Sequence, residues 1–136
     1  RPDPITMDLG TGKVAPNQPL MEMLMRLGLA AEESEGKGLA FARATARRIW
    51  GGVENWPERA HMEEAAREAG LSLAALESYV AANEAALLAR MEANETAQLL
   101  HHWGVPLMVL DDEPFFGQDR LDSLVWRLDQ KGLKRA

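Results

Sequence analysis

Residues Gly104 to Leu128 read GVPLMVLDDEPFFGQDRLDSLVWRL, and three signals follow one another within them. Pro106 to Leu110 is a short strand whose Leu107, Met108, Val109 and Leu110 are apolar without a break, the pattern of a strand covered on both faces. Asp111, Asp112 and Glu113 interrupt it, and Pro114, Phe115 and Phe116 resume it up to Gly117. Two apolar runs around a tight acidic break predict a β-hairpin. From Asp119 the period changes: Leu121, Leu124, Val125 and Leu128 fall at i, i+3, i+4 and i+7, one face of a helix. Asp119 is placed to cap that helix, Gly132 to end it, and Lys131, Lys134 and Arg135 to sit near the negative end of its dipole.

A strand–turn–strand–helix unit of this kind is incomplete by itself. Two strands are marginal alone, the apolar helix face needs a sheet beneath it, and open strand edges invite pairing.

Gly104-Val105-Pro106 and Phe115-Phe116-Gly117-Gln118-Asp119-Arg120, at this spacing, resemble two motifs of the 2-hydroxychromene-2-carboxylate isomerases and kappa-class glutathione transferases. These are families of the DsbA-like thioredoxin superfamily. The first resembles their GVP loop, whose Val–Pro bond is cis; the second resembles their FFGQDR or FWGQDR motif. The resemblance implies an α+β, mainly helical fold: a helical insert followed by the ββα half of a DsbA-type thioredoxin fold. It divides the chain into a loop-rich lead-in over 1–18, a helical insert over 19–103 and the ββα half over 104–136. The family's N-terminal βαβ half, with its FDFxSPYxYL-like opening strand, is not among these residues. The chain therefore resembles about the last two-thirds of a family member, and an incomplete enzyme is expected, its βαβ half removed, unseen or carried by another polypeptide. A chain that opens on Arg1 rather than Met fits a fragment, a processed form or part of a longer protein.

The 136 residues are one domain's length, with 46% hydrophobic and 26% charged residues, as in an ordinary globular protein. The net charge of −6, mixed along the chain, disfavours a nucleic-acid binder, which would carry a basic face. With no cysteine, the chain itself holds no disulfide, thiolate zinc site or CxxC pair. No apolar run is long enough to span a membrane and no basic-then-apolar leader is present, so a cytoplasmic location is expected.

The lead-in, with Pro2, Pro4, Gly10, Gly12 and Pro16, reads as loop. Gly10-Thr11-Gly12-Lys13 is a plain turn rather than a phosphate loop, since Val14 stands where the hydroxyl residue would be. Asn17 and Pro19 open a first helix running to about Glu33, with Leu20, Met21, Leu24, Met25, Leu27 and Leu29 as its apolar residues. Its methionines read as core filler rather than a ligand groove. Leu39, Phe41, Ala42, Ala46, Ile49 and Trp50 mark a second helix ending at Gly51-Gly52. Asn55 or Trp56 begins a third, with Pro57 in its first turn and His61, Met62, Ala65, Ala66 and Ala69 along it. Ser72 caps a short fourth, marked by Leu73, Leu76, Tyr79 and Val80. A fifth is expected from about Ala82 to His102, with Leu87, Leu88, Met91, Ala97, Leu100 and Trp103 inward and Glu84, Arg90, Glu92 and Glu95 solvated.

If the Val105–Pro106 bond is cis, the Val105 backbone is offered at the sheet edge, where an extended peptide can pair with it. In the resembling family that backbone meets the cysteinyl unit of glutathione. The residues matching Gln118 and Asp119 hold its γ-glutamyl end at a helix start, where anions are favoured; kappa enzymes carry Ser where this chain and the isomerases carry Gln. The competing reading makes Asp119 an N-cap only, and the two roles are compatible. Arg120 is expected to pair with a nearby acid.

His101-His102 lie side by side on the expected helix and point to different faces, which makes them poor chelators, so no metal site is expected. Trp50, Trp56 and Trp103 could face a flat aromatic substrate, but packing is the simpler role, and Trp126 falls on the outer side of the last helix. Asp111-Asp112-Glu113 is a solvated turn.

The resemblance thus implies a glutathione-dependent isomerase or transferase acting on aromatic-derived small molecules. Its cofactor is glutathione, held by Val105, Pro106, Gln118 and Asp119. The catalytic thiolate-stabilising residue would lie in the absent half, leaving this fragment alone inactive. Partners would be an aromatic substrate, the missing half or a second chain, and a second copy in a homodimer. Two alternatives stand beside it: a DsbA-like dithiol oxidoreductase with an upstream cysteine pair, and a non-catalytic helical interaction module.

Overall fold

A computed structural model describes residues 3–133. Among them are four short strands and six α-helices: β1 (Met7–Asp8), β2 (Lys13–Val14), α1 (Pro19–Glu35), α2 (Gly38–Trp50), α3 (Arg59–Glu68), α4 (Leu73–Ala82), α5 (Glu84–Leu99), β3 (Leu107–Leu110), β4 (Glu113–Phe116) and α6 (Leu121–Gln130). The protein is mainly helical, as expected. It falls into two units, Arg1–Ala89 and Arg90–Ala136, with the boundary inside α5. No helix among the described residues is long and apolar enough to cross a membrane.

In the first unit the lead-in is more ordered than a loop. Met7 pairs with Val14 and Asp8 with Lys13 in a small antiparallel ladder. The Asp8 carboxylate accepts from the Gly10 and Thr11 amides at 2.8 and 3.1 Å, so an Asx-type turn closes it. Those amide bonds hold the Asp8 pKa below its ordinary 3.8. The sequence hides the ladder because each strand is only two residues long. Pro19 occupies the first position of α1, where a missing N–H costs nothing. The residue before it is Gln18, not Asn17, and its side chain does not cap the helix. It binds the Thr6 and Ala15 carbonyls instead, which ties the lead-in to the helix start.

The core of this unit is built where the helical periods of α1 to α4 coincide. Leu27, Ala30 and Ala31 of α1, Phe41 and Ile49 of α2, Met62 and Ala66 of α3, and Leu73 and Leu76 of α4 enclose Trp56, which is 1% exposed. The alanines let helix backbones approach closely around two large rings, Phe41 and Trp56, so volume rather than polarity sets the packing. Thr45 is the buried polar residue of α2, and its hydroxyl is satisfied by the Phe41 and Ala42 carbonyls. Ion pairs stitch the rim: Arg48 to Glu68 at 2.9 Å and Arg59 to Glu77 at 3.0 Å. Ser72 caps α4 through the Ala75 amide, as expected. The third helix starts later than expected, at Arg59, because Trp56 is drawn into the core and Pro57 is spent on the approach to the helix rather than in its first turn.

Several apolar residues expected inside are outside. Leu39 and Trp50 of α2 are exposed. Of the inward set on α5, Leu87 is fully buried and Met91 partly, whereas Leu88, Ala97, Leu100 and Trp103 are exposed. The helix also stops at Leu99, so His101 and His102 lie in the turn beyond it.

The second unit contains the expected hairpin. Leu107 pairs with Phe116, Met108 with Phe115, Val109 with Pro114 and Leu110 with Glu113. The loop is two residues, Asp111 (φ 49°) and Asp112 (φ 62°), both left-handed as a type I′ turn requires. Aspartate tolerates this conformation better than most residues. Glu113 therefore belongs to β4 rather than to the turn. Its carboxylate takes both ends of the Arg127 guanidinium at 2.8 and 3.0 Å, linking β4 to α6 and raising the Arg127 pKa. Lys131 pairs with Asp111. The acidic break is thus an anchoring point, not merely a solvated turn. Lys134 and Arg135, expected near the helix end, lie outside the described residues.

Candidate functional site

The Val105–Pro106 peptide bond is cis. Immediately after it the hairpin ladder begins, and its register determines what each backbone group faces. Gly117 donates its N–H to the Pro106 carbonyl at 2.9 Å, so the pairs alternate from there. Pro106 only accepts, having no N–H; Met108–Phe115 and Leu110–Glu113 exchange bonds inward, while Leu107, Val109, Pro114 and Phe116 turn their groups outward. Val105 lies just before β3, across the cis bond. It is 75% exposed, and among the described residues its N–H and C=O have no hydrogen-bond partner. The opposite edge differs, because Pro114 has no N–H to offer an added strand. Among the described residues the expected run is not buried on both faces: Val109 is exposed and Leu107, Met108 and Leu110 are only partly covered, since two strands cannot cover each other's faces.

Gly117 joins this edge to the second motif. Its φ of 96° and ψ of 151° fall where only glycine is at ease. A Cβ there would collide with the Asp119 Oδ1. The Asp119 carboxylate therefore lies back over Gly117, one backbone hydrogen bond from Pro106.

Asp119 does not cap α6. Gln118–Arg120 form a 3₁₀ turn that runs straight into the helix, the residue before α6 is Arg120, and no side chain caps either segment. Its backbone bonds come from the turn itself: the Arg120 amide donates to the Gly117 carbonyl and the Leu121 amide to that of Gln118. The Asp119 side chain caps nothing and is 76% exposed, with the Arg120 Nε at 3.7 Å as the expected acidic pairing. Gln118 is exposed too.

Beside Val105 is an open cleft of about 400 Å³ lined by Ala97, Gln98, His101, Val105, Leu107 and Val109. Leu107 and Val109 share one face of β3 by its two-residue period, and Val105 lines the same cleft. The same face carries Phe116, on which the His102 ring stacks at 3.8 Å. Gln98 was given no role by sequence reasoning, and its position in the cleft could not have been found from spacing, because the turn 100–103 sets it. Trp103 is 79% exposed, so its packing role is not met within this chain. Trp126 lies on the outer side of α6, with the Arg127 guanidinium 5.4 Å from its ring centre. Among the described residues no three His, Cys, Asp or Glu side chains are grouped to hold a metal ion.

Residues 14–129 match the family description of the DSBA-like thioredoxin domain. The chain belongs to that family. Searches of curated proteins and of solved structures found no match. Membership places the cis-proline turn and the hairpin–helix block in a superfamily of thiol–disulfide oxidoreductases and glutathione-transferase-like proteins. The finer isomerase and kappa-class assignment goes beyond that match.

Proposed function

We propose that this DsbA-like chain supplies the glutathione cradle of an isomerase or transferase acting on aromatic-derived small molecules. The observation that carries this reading is Val105: exposed, its own N–H and C=O unpaired among the described residues, next to an open strand edge and one hydrogen bond from the segment bearing Asp119. A tripeptide with an extended cysteinyl unit can pair with such an edge as an added strand. The ammonium of its γ-glutamyl end suits the exposed Asp119 carboxylate, and Gln118 can serve the neighbouring carboxylate by hydrogen bonding. Pro106 closes the turn behind Val105. Glutathione, when bound, brings the reactive thiol; we assign no described residue to ionise it. The rest of the β3 edge, Leu107 and Val109, is proposed to pair with a further strand, from the same polypeptide or another. For the substrate pocket we propose the hollow of about 580 Å³ between α1, α3 and α4, whose apolar lining includes Met23, Leu27, Met62 and Leu73. That volume is in the range of small-molecule sites.

The dithiol oxidoreductase alternative places its cysteine pair upstream of these residues, and the superfamily match accommodates it as well. Calorimetric titration of the natural polypeptide with reduced glutathione tests the reading. Saturable heat at or below millimolar ligand, weakened at least about threefold by Asp119→Asn, is expected. No heat at millimolar glutathione overturns it.

A further inference from the structure

Gly104 is held on three sides by side chains: Gln98 and His102, which neither motif contains, and Phe116 from the second motif. Its N–H donates to His102 Nδ1 at 2.9 Å, and its carbonyl accepts from Gln98 Nε2 at 3.3 Å. Its Cα faces the Phe116 ring so closely that a Cβ would stand 2.5 Å from Phe116 Cε2 and 3.2 Å from His102 Nδ1. The His102 ring lies on that same Phe116 ring, centroids 3.8 Å apart and planes 20° from parallel. Gly104 is buried while its neighbour Val105 is exposed. Both backbone groups of Gly104 are thus held, and its carbonyl shares a peptide unit with the Val105 N–H.

The acceptor role fixes the chemistry of the imidazole. Nδ1 accepts a hydrogen bond from the Gly104 amide, so it carries a lone pair and the ring N–H is on Nε2. Phe116 orients the ring, and Gln98 holds the Gly104 carbonyl in the next peptide unit.

We propose that His102, seconded by Gln98, is a positioning residue that fixes Gly104 and thereby presents the Val105 peptide group to an extended ligand. The inference rests on the proposed cradle, but its first readout needs no ligand. Two substitutions separate the acceptor from the ring. His102→Phe keeps a flat ring on Phe116 and removes the acceptor. His102→Asn keeps an acceptor close to the place of Nδ1 and removes the ring.

Amide hydrogen exchange at Gly104 is measured in the natural polypeptide and both variants, with the Met108 amide inside the β3–β4 ladder as reference. Expected is exchange at Gly104 faster by roughly three- to tenfold in His102→Phe, the range for losing one hydrogen bond. Asn is expected to return it to within about twofold. The glutathione dissociation constant is expected to rise and recover in the same order. Unchanged Gly104 exchange in His102→Phe overturns the inference, as does acceleration in Asn but not in Phe. Equal acceleration at Gly104 and Met108 overturns it too, since that is loss of the whole hairpin. If the unaltered protein binds no glutathione, the cradle fails, and the exchange pattern still decides whether His102 positions this turn.

Discussion

Two rings one residue type apart in fate show how the halves of this molecule differ. In the first unit Trp56 is 1% exposed, enclosed by residues from four helices. In the second, Trp103 and Trp126 are 79% and 57% exposed, and Phe115 is the large side chain that is buried. Both units have amphipathic helices. α1 to α4 meet one another and bury their apolar faces mutually; α6 meets a two-stranded sheet, and Leu121 and Val125 remain half open. A helix face is stabilised only by what covers it. The first unit holds its own cover, whereas the second presents an apolar strand face, an open strand edge and an apolar helix side together. These are the features from which the proposed cradle and added strand are argued.

This contrast can be broken by experiment, most sharply with tryptophan. Trp56→Ala is expected to lower unfolding stability by about 3–5 kcal/mol, the usual cost of emptying a large core site. Trp103→Ala should change it by no more than about 0.5 kcal/mol. Urea unfolding followed by circular dichroism measures both, and equal losses would mean that the second unit has an interior of its own.

Next in size is the hinge between the motifs. Gly117→Ala forces a side chain into a glycine-only conformation and onto Asp119 Oδ1. A loss of about 1–3 kcal/mol is expected, confined to the hairpin–helix block. Hydrogen exchange of β3 and β4 amides would register it, while the α1–α4 core amides should not change.

Arg127→Ala removes the two bonds to Glu113. Both partners are more than a third exposed, so solvent screening limits the effect to about 0.2–1 kcal/mol. A salt titration of stability should show the difference from the unaltered protein shrinking as ionic strength rises.

The smallest effect is a pH response in the lead-in. The Asp8 pKa is lowered in the folded turn by the Gly10 and Thr11 amides, so the ionised form favours the turn. Its contribution is present above the ordinary carboxylate value and is lost as pH falls through the lowered one. Asp8→Asn should abolish that step, read from the Gly10 amide chemical shift between pH 5 and 2, as a range spanning about two units around the ordinary value.

Much of this was legible in the linear order of residues. The Leu121–Leu128 spacing predicts α6, the acidic break predicts the hairpin, and Ser72 marks the start of α4, because these signals act between residues a few positions apart. The motif resemblance reached the superfamily and the cis bond at Pro106. What could not be read depends on distant contacts. Asp119 carries every mark of an N-cap, yet the 3₁₀ turn satisfies the backbone without it. Glu113 reads as turn, yet φ above zero at Asp111 and Asp112 completes the loop in two residues and leaves Glu113 to meet Arg127.

The linear sequence by itself determined the helical periods, the hairpin, the absence of any thiol and the family to which the chain belongs, since all of these are local or compositional. Only the tertiary structure decided which apolar faces are covered and how Gln98, His102 and Phe116 converge on Gly104. Burial and convergence are set by the meeting of segments far apart in the chain, and no spacing along the chain encodes the direction in which those segments return.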